Sequence, residues 1–219
     1  MEGDDGDDPL FSDSPGAFDD LVQSAGPASL LVVIQSRMGR LLRERTTAED
    51  IFQEALLHAW RDRRRLEWRG RKSFRAWLLS IIDNRLRDAT AYEGARKRGG
   101  GASPIPLDGR AADASDDASV GAPPTPIAST TPSRLALYKE TAAAMQEALQ
   151  ALPDELRDVV RLRVFEQLPL PDVAARLGLG LSAVAHRFRK GAERYHRLLS
   201  AAMTSRGLSS DGVEGDVLE

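Results

Sequence analysis

A chain of 219 residues, of which 42% are hydrophobic and 5% aromatic, has the size and apolar content of one large domain or two small helical domains. The chain contains no cysteine, which excludes disulfides, thiolate zinc sites and thiol nucleophiles. Its net charge of −3 is unevenly distributed, since residues 1–36 carry −8, residues 37–98 carry +8 and residues 134–199 carry +3, and basic blocks between acidic segments are more typical of nucleic-acid binding than of small-molecule catalysis.

The first 27 residues are predicted to form an acidic, disordered tail. The segment begins with acids, whereas a secretory signal begins with bases followed by an apolar run. No apolar run in the chain reaches the roughly 18 residues that cross a bilayer. We therefore expect a cytoplasmic protein without membrane insertion.

Residues 28–98 are predicted to form the first helical domain, with helices at about 28–45, 47–63 and 73–97, because apolar residues recur every three or four positions and no stretch alternates. The second helix contains AEDIFQEALLHAW at 48–60. One face combines acid, amide and leucine, which favours docking to a partner over catalysis; its residues are Asp50, Gln53, Glu54 and Leu57. Glu54 and His58 are spaced as metal ligands are, but no further ligand pair accompanies them, so no metal site and no cofactor are predicted.

Aromatic, amide and basic residues accompany the third helix and the arginine-rich turn before it. Such a set can stack on an unpaired base, hydrogen-bond its edge and neutralise its phosphates. The alternative for Trp77 is a purely structural position in the core. The predicted base-binding residues are Trp68, Trp77, Ser80, Asn84 and Arg87.

Residues 99–133 are rich in Gly, Ala, Ser, Pro and Asp and have few large apolar residues. Such a segment buries too little surface to offset its ordering entropy, so a flexible linker is predicted. Residues 201–219 are predicted to be a second disordered tail. The fold class is therefore all-α, with two small helical domains joined by a disordered linker.

Residues 134–200 are predicted to form a helix-turn-helix domain, with helices at about 134–151, 153–166, 170–177 and 181–199. A short helix, a turn at LGLG and a long basic helix follow one another between residues 169 and 199. Ala174 and Ala175 are small, as a close helix crossing requires, and Gly178 suits a left-handed turn. In the last helix an apolar face containing Val184 and Tyr195 is predicted to lie opposite a basic one.

The start of that last helix carries the side chains expected to reach base edges or phosphates in a major groove. Arginine is the residue best suited to read guanine. The alternative is that these charges only keep a surface helix soluble. The predicted residues are Ser182, His186, Arg187, Arg189 and Lys190.

These motifs resemble those of bacterial RNA polymerase sigma factors of the extracytoplasmic-function (ECF) group. AEDIFQEALLHAW resembles the D-L-V-Q-E core of region 2, FRAWLLSIIDNRLRDA resembles the run that follows it, and LPDELRDVVRLRVFEQLPLPDVAARLG with VAHRFRKGAERY resembles region 4. The resemblance implies a three-helix region 2 bundle, a region 4 helix-turn-helix and a non-catalytic protein that directs promoter-specific transcription initiation and helps to melt promoter DNA.

The resemblance also implies a role for each predicted surface. The face with Asp50 and Glu54 matches the surface for the polymerase clamp helices. The set with Trp77 and Asn84 matches the pocket for a flipped base of the minus-ten element. The set with Arg187 matches the helix that reads the minus-thirty-five element, and region 4 also docks on the polymerase flap. An anti-sigma protein is left open as a further partner.

Three positions depart from the family pattern: Leu79 replaces a common aromatic residue, Gly180 a capping serine and Ala185 a basic residue. Two other functions stay open at this point. A stand-alone helix-turn-helix regulator would use the first block for dimerisation or ligand binding, and a helical metal-dependent hydrolase would need a bound metal ion.

Overall fold

The computed structural model of the chain describes residues 15–97 and 131–208. Within these stretches all regular structure is helical, which confirms the predicted all-α class. The α-helices are α1 (Pro15–Ser24), α2 (Pro27–Arg37), α3 (Arg40–Arg43), α4 (Ala48–Asp62), α5 (Arg71–Lys97), α6 (Pro132–Gln150), α7 (Asp154–Val160), α8 (Leu170–Leu177) and α9 (Leu181–Ser205).

The chain divides into two compact units. The described residues of Met1–Ala25 and Arg37–Arg134 belong to the first unit, and those of Gly26–Ser36 and Leu135–Glu219 belong to the second. The sequence placed residues 28–98 in one domain, whereas helix α2 groups with the second unit. Eight consecutive residues of α2, from Pro27 to Ile34, are buried. A helix that is apolar all round has no single apolar stripe from which its neighbours can be predicted.

Helices α4 and α5 form the centre of the first unit, and α1 and α3 pack against α5. Buried residues of α5 recur every four positions, at Phe74, Leu78, Ile82 and Leu86. This spacing places them on one helix face, which fills the space against the buried face of α4. The buried residues of α4 are Ala48, Ile51, Phe52, Ala55, Leu56 and Ala59.

Helix α1 corrects the prediction of a disordered tail over residues 1–27, of which residues 1–14 lie outside the described part. The Phe18 ring is buried and meets two rings edge-on, with centroids 5.2 Å from Trp60 and 6.0 Å from Phe74. The buried Arg75 guanidinium donates a hydrogen bond to the carbonyl of Ala25, just after α1. Three apolar residues in helical spacing therefore outweigh the acidic composition: Phe18, Leu21 and Val22.

The predicted first helix, 28–45, is in fact two helices. Helix α2 ends at Arg37, and Gly39 has the extended backbone of an N-cap before the single turn of α3. Glycine is a poor residue for a helix interior, because it loses more backbone entropy on folding than other residues do. The break therefore falls at the residue least suited to continue the helix.

In the second unit α7 and α8 both pack against α9. Leucines and Phe188 surround a cluster formed by Val159, Leu162, Val173, Ala174 and Val184. Tyr195 is fully buried with its ring 5.9 Å from that of Phe165, and burial raises the pKa of its phenol. Of the two small residues predicted at a helix crossing, Ala174 is buried but Ala175 is exposed, because it lies on the outer side of α8.

Helices α7 and α9 approach each other most closely at Gly191. A methyl group added at this glycine would lie 2.7 Å from Val160 Cγ2 and 3.4 Å from Leu156 Cβ. Contacts below about 3 Å between carbon atoms are repulsive, whereas 3.5–4.0 Å is optimal. The absence of a side chain at residue 191 therefore sets how closely these helices pack.

Several predicted boundaries shift in the second unit. The predicted helix 153–166 is α7 followed by one π-helical turn, Arg161–Phe165, and then Gln167, whose φ of 52° lies in the left-handed region. Helix α9 continues to Ser205 because Ala202 and Met203 are buried, which corrects the predicted tail for residues 201–205. Most of the predicted linker, residues 98–130, and residues 209–219 lie outside the described part, and α6 begins at Pro132.

Among the described helices, none is by itself both long and apolar enough to cross a membrane. Helices α1 and α2 satisfy the length and composition only when taken together, and they are interrupted at Ala25 and Gly26.

Candidate nucleic-acid interfaces

The first turn of α4 is fixed by a capping box. Thr47 Oγ1 accepts a hydrogen bond from the Asp50 backbone nitrogen at 3.1 Å, while Asp50 Oδ2 accepts from the Thr47 hydroxyl at 2.7 Å and from its backbone nitrogen at 3.0 Å. The Thr47 hydroxyl, followed by the Thr47 backbone N–H, lowers the pKa of Asp50. Asp50, predicted from sequence to bind a partner, therefore has a structural role in starting the helix.

The other predicted partner-binding residues of α4 share an accessible face. Gln53 is half-buried, Glu54 is exposed, and the Leu57 side chain is 39% exposed, which is unusual for a large apolar residue in this unit. Glu54 and Leu57 line a groove of about 370 Å³ between α4 and the second half of α5. The face thus combines a carboxylate, an amide and an apolar contact beside a concave surface, as a protein partner requires.

His58 lies on the same groove and is linked to α5. Its Nε2 lies 3.2 Å from Nη1 of Arg85. Because the guanidinium can only donate, Nε2 is the acceptor and the imidazole is neutral. Burial, and then the positive charges of Arg85 and Arg61, lower the pKa of His58. The candidate metal pair, Glu54 and His58, therefore lies beside the positive charge of Arg85. Within the described residues there is no group of three or more His, Cys, Asp or Glu side chains that could hold a metal ion.

The arginine-rich turn between α4 and α5 begins with a 3₁₀ turn, Arg63–Arg65. The Arg63 guanidinium lies 3.7 Å from the centre of the Trp60 ring and donates to the Trp60 carbonyl at 2.7 Å. Arg64 and Arg65 are exposed, and Trp68, predicted to bind a base, is half-buried. The turn therefore presents cations and one partly accessible indole on the same short segment.

The stripe predicted on α5 exists in the structure. Trp77 is half-buried, and Ser80, Asn84 and Arg87 are exposed. The Trp77 ring packs against Phe74 with the ring centroids 5.9 Å apart, so this residue is partly accessible and partly in contact with the core. Asn84 Oδ1 accepts from Nη1 of Arg87 at 2.8 Å. This bond orients the Asn84 amide with its NH₂ group as the remaining donor.

Ser80 differs from the other residues of this stripe. Its hydroxyl donates to the Trp77 carbonyl at 2.6 Å, one turn earlier in the same helix. Serine hydroxyls in helices often bond back in this way. Ser80 thus lies on the predicted surface, but its hydroxyl hydrogen is already bonded to the Trp77 carbonyl.

The helix-turn-helix is formed by α8 and α9. Gly178 ends α8 with φ 64° and ψ 33°, the left-handed geometry predicted for it, and Leu179 N donates to the Ala174 carbonyl at 3.0 Å. Gly180 is the N-cap of α9 and provides no side-chain cap, as its departure from the family pattern implied. The turn therefore depends on backbone geometry and on the packing of Leu177 and Leu179 against the core cluster.

Most residues predicted to contact the upstream DNA lie on the outer face of α9. Ser182, His186, Arg189 and Lys190 are exposed. Arg187 is different, because its side chain is only 33% exposed and its Nη2 lies 3.7 Å from Glu155 Oε2 on α7. The structure thus brings four of these five side chains together on one surface and places the fifth at its edge.

A buried acid near the helix-turn-helix was missed by the sequence reasoning. The Glu166 side chain is 4% exposed, and its carboxylate accepts from Arg161 Nη1 at 2.6 Å and lies 3.6 Å from Arg176 Nη1. This network connects the π turn to α8. In the sequence Glu166 looks like any acid at a helix end, and only the tertiary contacts reveal it.

Two segments of the chain match known protein-family models. Residues 29–96 match the family model of Sigma-70 region 2, and residues 142–194 match that of Sigma-70, region 4. The chain therefore belongs to the sigma-70 family of RNA polymerase sigma factors and is of the ECF type.

Two curated relatives carry sigma-factor names. One is the "Probable RNA polymerase sigma factor RfaY" of Xanthomonas campestris pv. campestris, 33% identical over 150 residues, which cover 68% of this chain and 33% of the relative. The other is the RNA polymerase sigma-H factor of Pseudomonas aeruginosa, 28% identical over 164 residues, which cover 73% of this chain and 77% of the relative. The chain spans about a third of the length of the Xanthomonas protein.

Proposed function

We propose that this chain binds core RNA polymerase and directs it to specific promoters, recognising promoter DNA and helping to melt it. The main supporting observation is that the family models of regions 2 and 4 match the chain in that order, and that each matched segment presents an exposed basic surface. Polymerase supplies the chemistry, so this chain has no catalytic residues. Strand opening would be driven by the binding of the exposed bases.

The proposed polymerase surface is the accessible face of α4. Gln53, Glu54 and Leu57 form a polar and apolar face beside the groove, and Asp50 fixes the start of the helix that carries them. A helix of the polymerase clamp fits such a face, since apolar contacts provide affinity and charges provide specificity. Region 4 would make a second contact with the polymerase flap.

The proposed minus-ten surface consists of the α5 stripe and the arginine-rich turn. Trp77, supported by Phe74, and Trp68 offer ring faces on which an unpaired base can stack. The oriented NH₂ group of Asn84 is suited to a base edge, and Arg87 to a phosphate. Ser80 contributes its oxygen as an acceptor, because its hydrogen is bonded to Trp77.

The proposed minus-thirty-five surface is the exposed face at the start of α9. An α-helix fits the major groove, where each base pair presents a distinct pattern of donors and acceptors. Arg189 and Lys190 are suited to phosphates or guanine, His186 and Ser182 to base edges, and Arg187 lies at the side toward α7.

Run-off transcription with core polymerase tests the proposal. The full chain should program core enzyme on a subset of genomic promoter fragments. Leu57→Ala should weaken polymerase binding, about fivefold or more. The control is Leu137→Ala, which changes a similarly exposed leucine on α6 and should leave polymerase binding unchanged.

Asn84→Ala should reduce open-complex formation more than it reduces polymerase binding. Permanganate reactivity of the unpaired bases measures open-complex formation, and Gln150→Ala is the control at an exposed amide.

Failure to associate with core polymerase at low salt, together with binding of specific duplex DNA by the chain alone, would contradict the proposal and favour a stand-alone regulator. Equal loss of opening and of polymerase binding in Asn84→Ala would contradict the base-binding role of that residue.

The proposed partners place the protein in the cytoplasm, where polymerase and promoters are. An anti-sigma protein that covers the α4 face is the third proposed partner. A protein that co-purifies with this chain and is displaced by core polymerase would support that part of the proposal, and simultaneous binding of both would contradict it.

A further inference from the structure

Arg187 is held by a residue outside the recognition helix. Its guanidinium lies 3.7 Å from the carboxylate of Glu155, in the first turn of α7. Glu155 is 58% exposed, and the residue it contacts, Arg187, lies at the edge of the surface proposed to face DNA. Arg189 and Lys190, two and three residues further along the same helix and so within one turn, are exposed.

The pairing affects what Arg187 can contact. An unrestrained surface arginine binds any phosphate within reach, which adds affinity but no sequence information. A guanidinium held toward α7 has fewer orientations, and a negative charge beside it disfavours a nearby phosphate. A guanine edge, which can be approached in a fixed bidentate geometry, is affected less.

We infer that Glu155 is a positioning residue for Arg187 that lowers binding to non-specific DNA and thereby raises promoter discrimination. The inference rests on the proposed role of α9 in reading the upstream element. The ion pair is solvent-exposed and therefore weak, so DNA can displace it at modest cost. Glu155 thus restricts the orientation of the Arg187 guanidinium without preventing its contact with DNA.

Glu155→Gln is the test, made in the full-length chain with a 30-base-pair duplex of mixed sequence as the non-specific probe. Affinity should rise about two- to fivefold, the range that an exposed ion pair covers. The salt dependence of log K should steepen by up to about 0.9, because one more phosphate is neutralised. Selection from a randomised duplex library should show weaker guanine enrichment at the position that Arg187 reads.

Asp154→Asn is the matched control. Asp154 precedes Glu155 on the same turn, carries the same charge, is 90% exposed and pairs with Arg157 at 2.9 Å. Neutralising it should leave the guanine enrichment unchanged and raise non-specific affinity less than Glu155→Gln does. An equal effect of the two substitutions would show that the loss of any negative charge in this turn strengthens DNA binding, and it would overturn the inference.

Arg187→Ala separates failure of the inference from failure of the proposed function. In the Arg187→Ala background, Glu155→Gln should have no effect on the salt slope, and a persisting effect would overturn the inference. If Lys190→Ala weakens DNA binding but Glu155→Gln does nothing, the role of α9 stands and the role of Glu155 falls. If Lys190→Ala, Arg189→Ala and Glu155→Gln all leave DNA binding unchanged, α9 does not read DNA.

Discussion

Protonation of His58 is the most direct way in which mild acid lowers the stability of the first unit. Its neutral imidazole accepts from Arg85, and burial and that arginine lower the pKa below its ordinary value of about 6.5. The unfolded chain therefore takes up a proton at a higher pH than the folded chain does. This contribution to stability is present above about pH 6.5 and is lost as the pH falls through the folded-state pKa.

We expect the free energy of unfolding of the first unit to fall as the pH drops below about 6.5, and His58→Gln to reduce that fall. Glutamine keeps an acceptor for Arg85 but does not titrate. Urea titrations followed by tryptophan fluorescence measure this unit selectively, because all three tryptophans, residues 60, 68 and 77, lie in it. Identical pH slopes for the two proteins would contradict the expectation.

The sequence identified most of the surface residues but not their local bonds. Exposed stripes follow from helical spacing, and Asn84, Arg87 and Lys190 are exposed as that spacing predicts. The bonds of Ser80 and Arg187 depend on rotamers and on a neighbouring helix that the pattern does not specify. The backbone of Gln167 was also not predicted, because glutamine rarely adopts the left-handed conformation that it has here.

At the scale of helices, the contact between α7 and α9 at Gly191 sets the shape of the second unit. Gly191→Ala should destabilise this unit by about 1–3 kcal/mol, because the new methyl group would meet Val160 at 2.7 Å. Gly94→Ala on α5 is the control. Its methyl group meets nothing within 4 Å, so alanine should stabilise α5 by about 0.5–1 kcal/mol.

Urea unfolding followed by circular dichroism detects both substitutions, whereas tryptophan fluorescence should detect only Gly94→Ala. Val160→Ala should cost less stability in the Gly191→Ala background than in the wild type, since it removes the atom that would clash. A Gly191→Ala protein as stable as the wild type would mean that α7 and α9 separate without cost.

Helices of the second unit were predicted to within a few residues because their signals are local. Proline precedes α7 and α8, glycine follows α8, and an apolar stripe runs along α9. Helix α1 was missed because its acidic composition was given more weight than the spacing of Phe18, Leu21 and Val22. The grouping of α2 with the second unit depends on contacts distant in sequence, which periodicity does not report.

At the scale of the whole molecule, the acidic first 14 residues make the net charge of the protein negative. Residues 1–14 contain six acids and no base, so their removal would change the net charge from −3 to +3. Every described residue would be retained, since α1 begins at Pro15. A positive protein is attracted to DNA over a distance set by the salt concentration.

Deletion of residues 1–14 should therefore strengthen binding to a mixed-sequence duplex about two- to tenfold at ~0.05 M salt. The difference should narrow at higher salt, where the screening length is shorter. Fluorescence anisotropy measures both effects. A full-length variant with the six acids replaced by amides should behave like the deletion, and an effect of the deletion alone would show that charge is not the cause.

The capping box of α4 affects how variation at residue 50 can be interpreted. An acid there satisfies two requirements at once, one imposed by folding and one by the proposed partner. Alanine removes both, so a transcription defect in such a mutant would say little about the interface. Asparagine keeps an oxygen that can accept the bonds from Thr47 and removes only the charge. The paired replacements, in natural homologues or in the laboratory, therefore distinguish a residue selected for its helix from one selected for its partner.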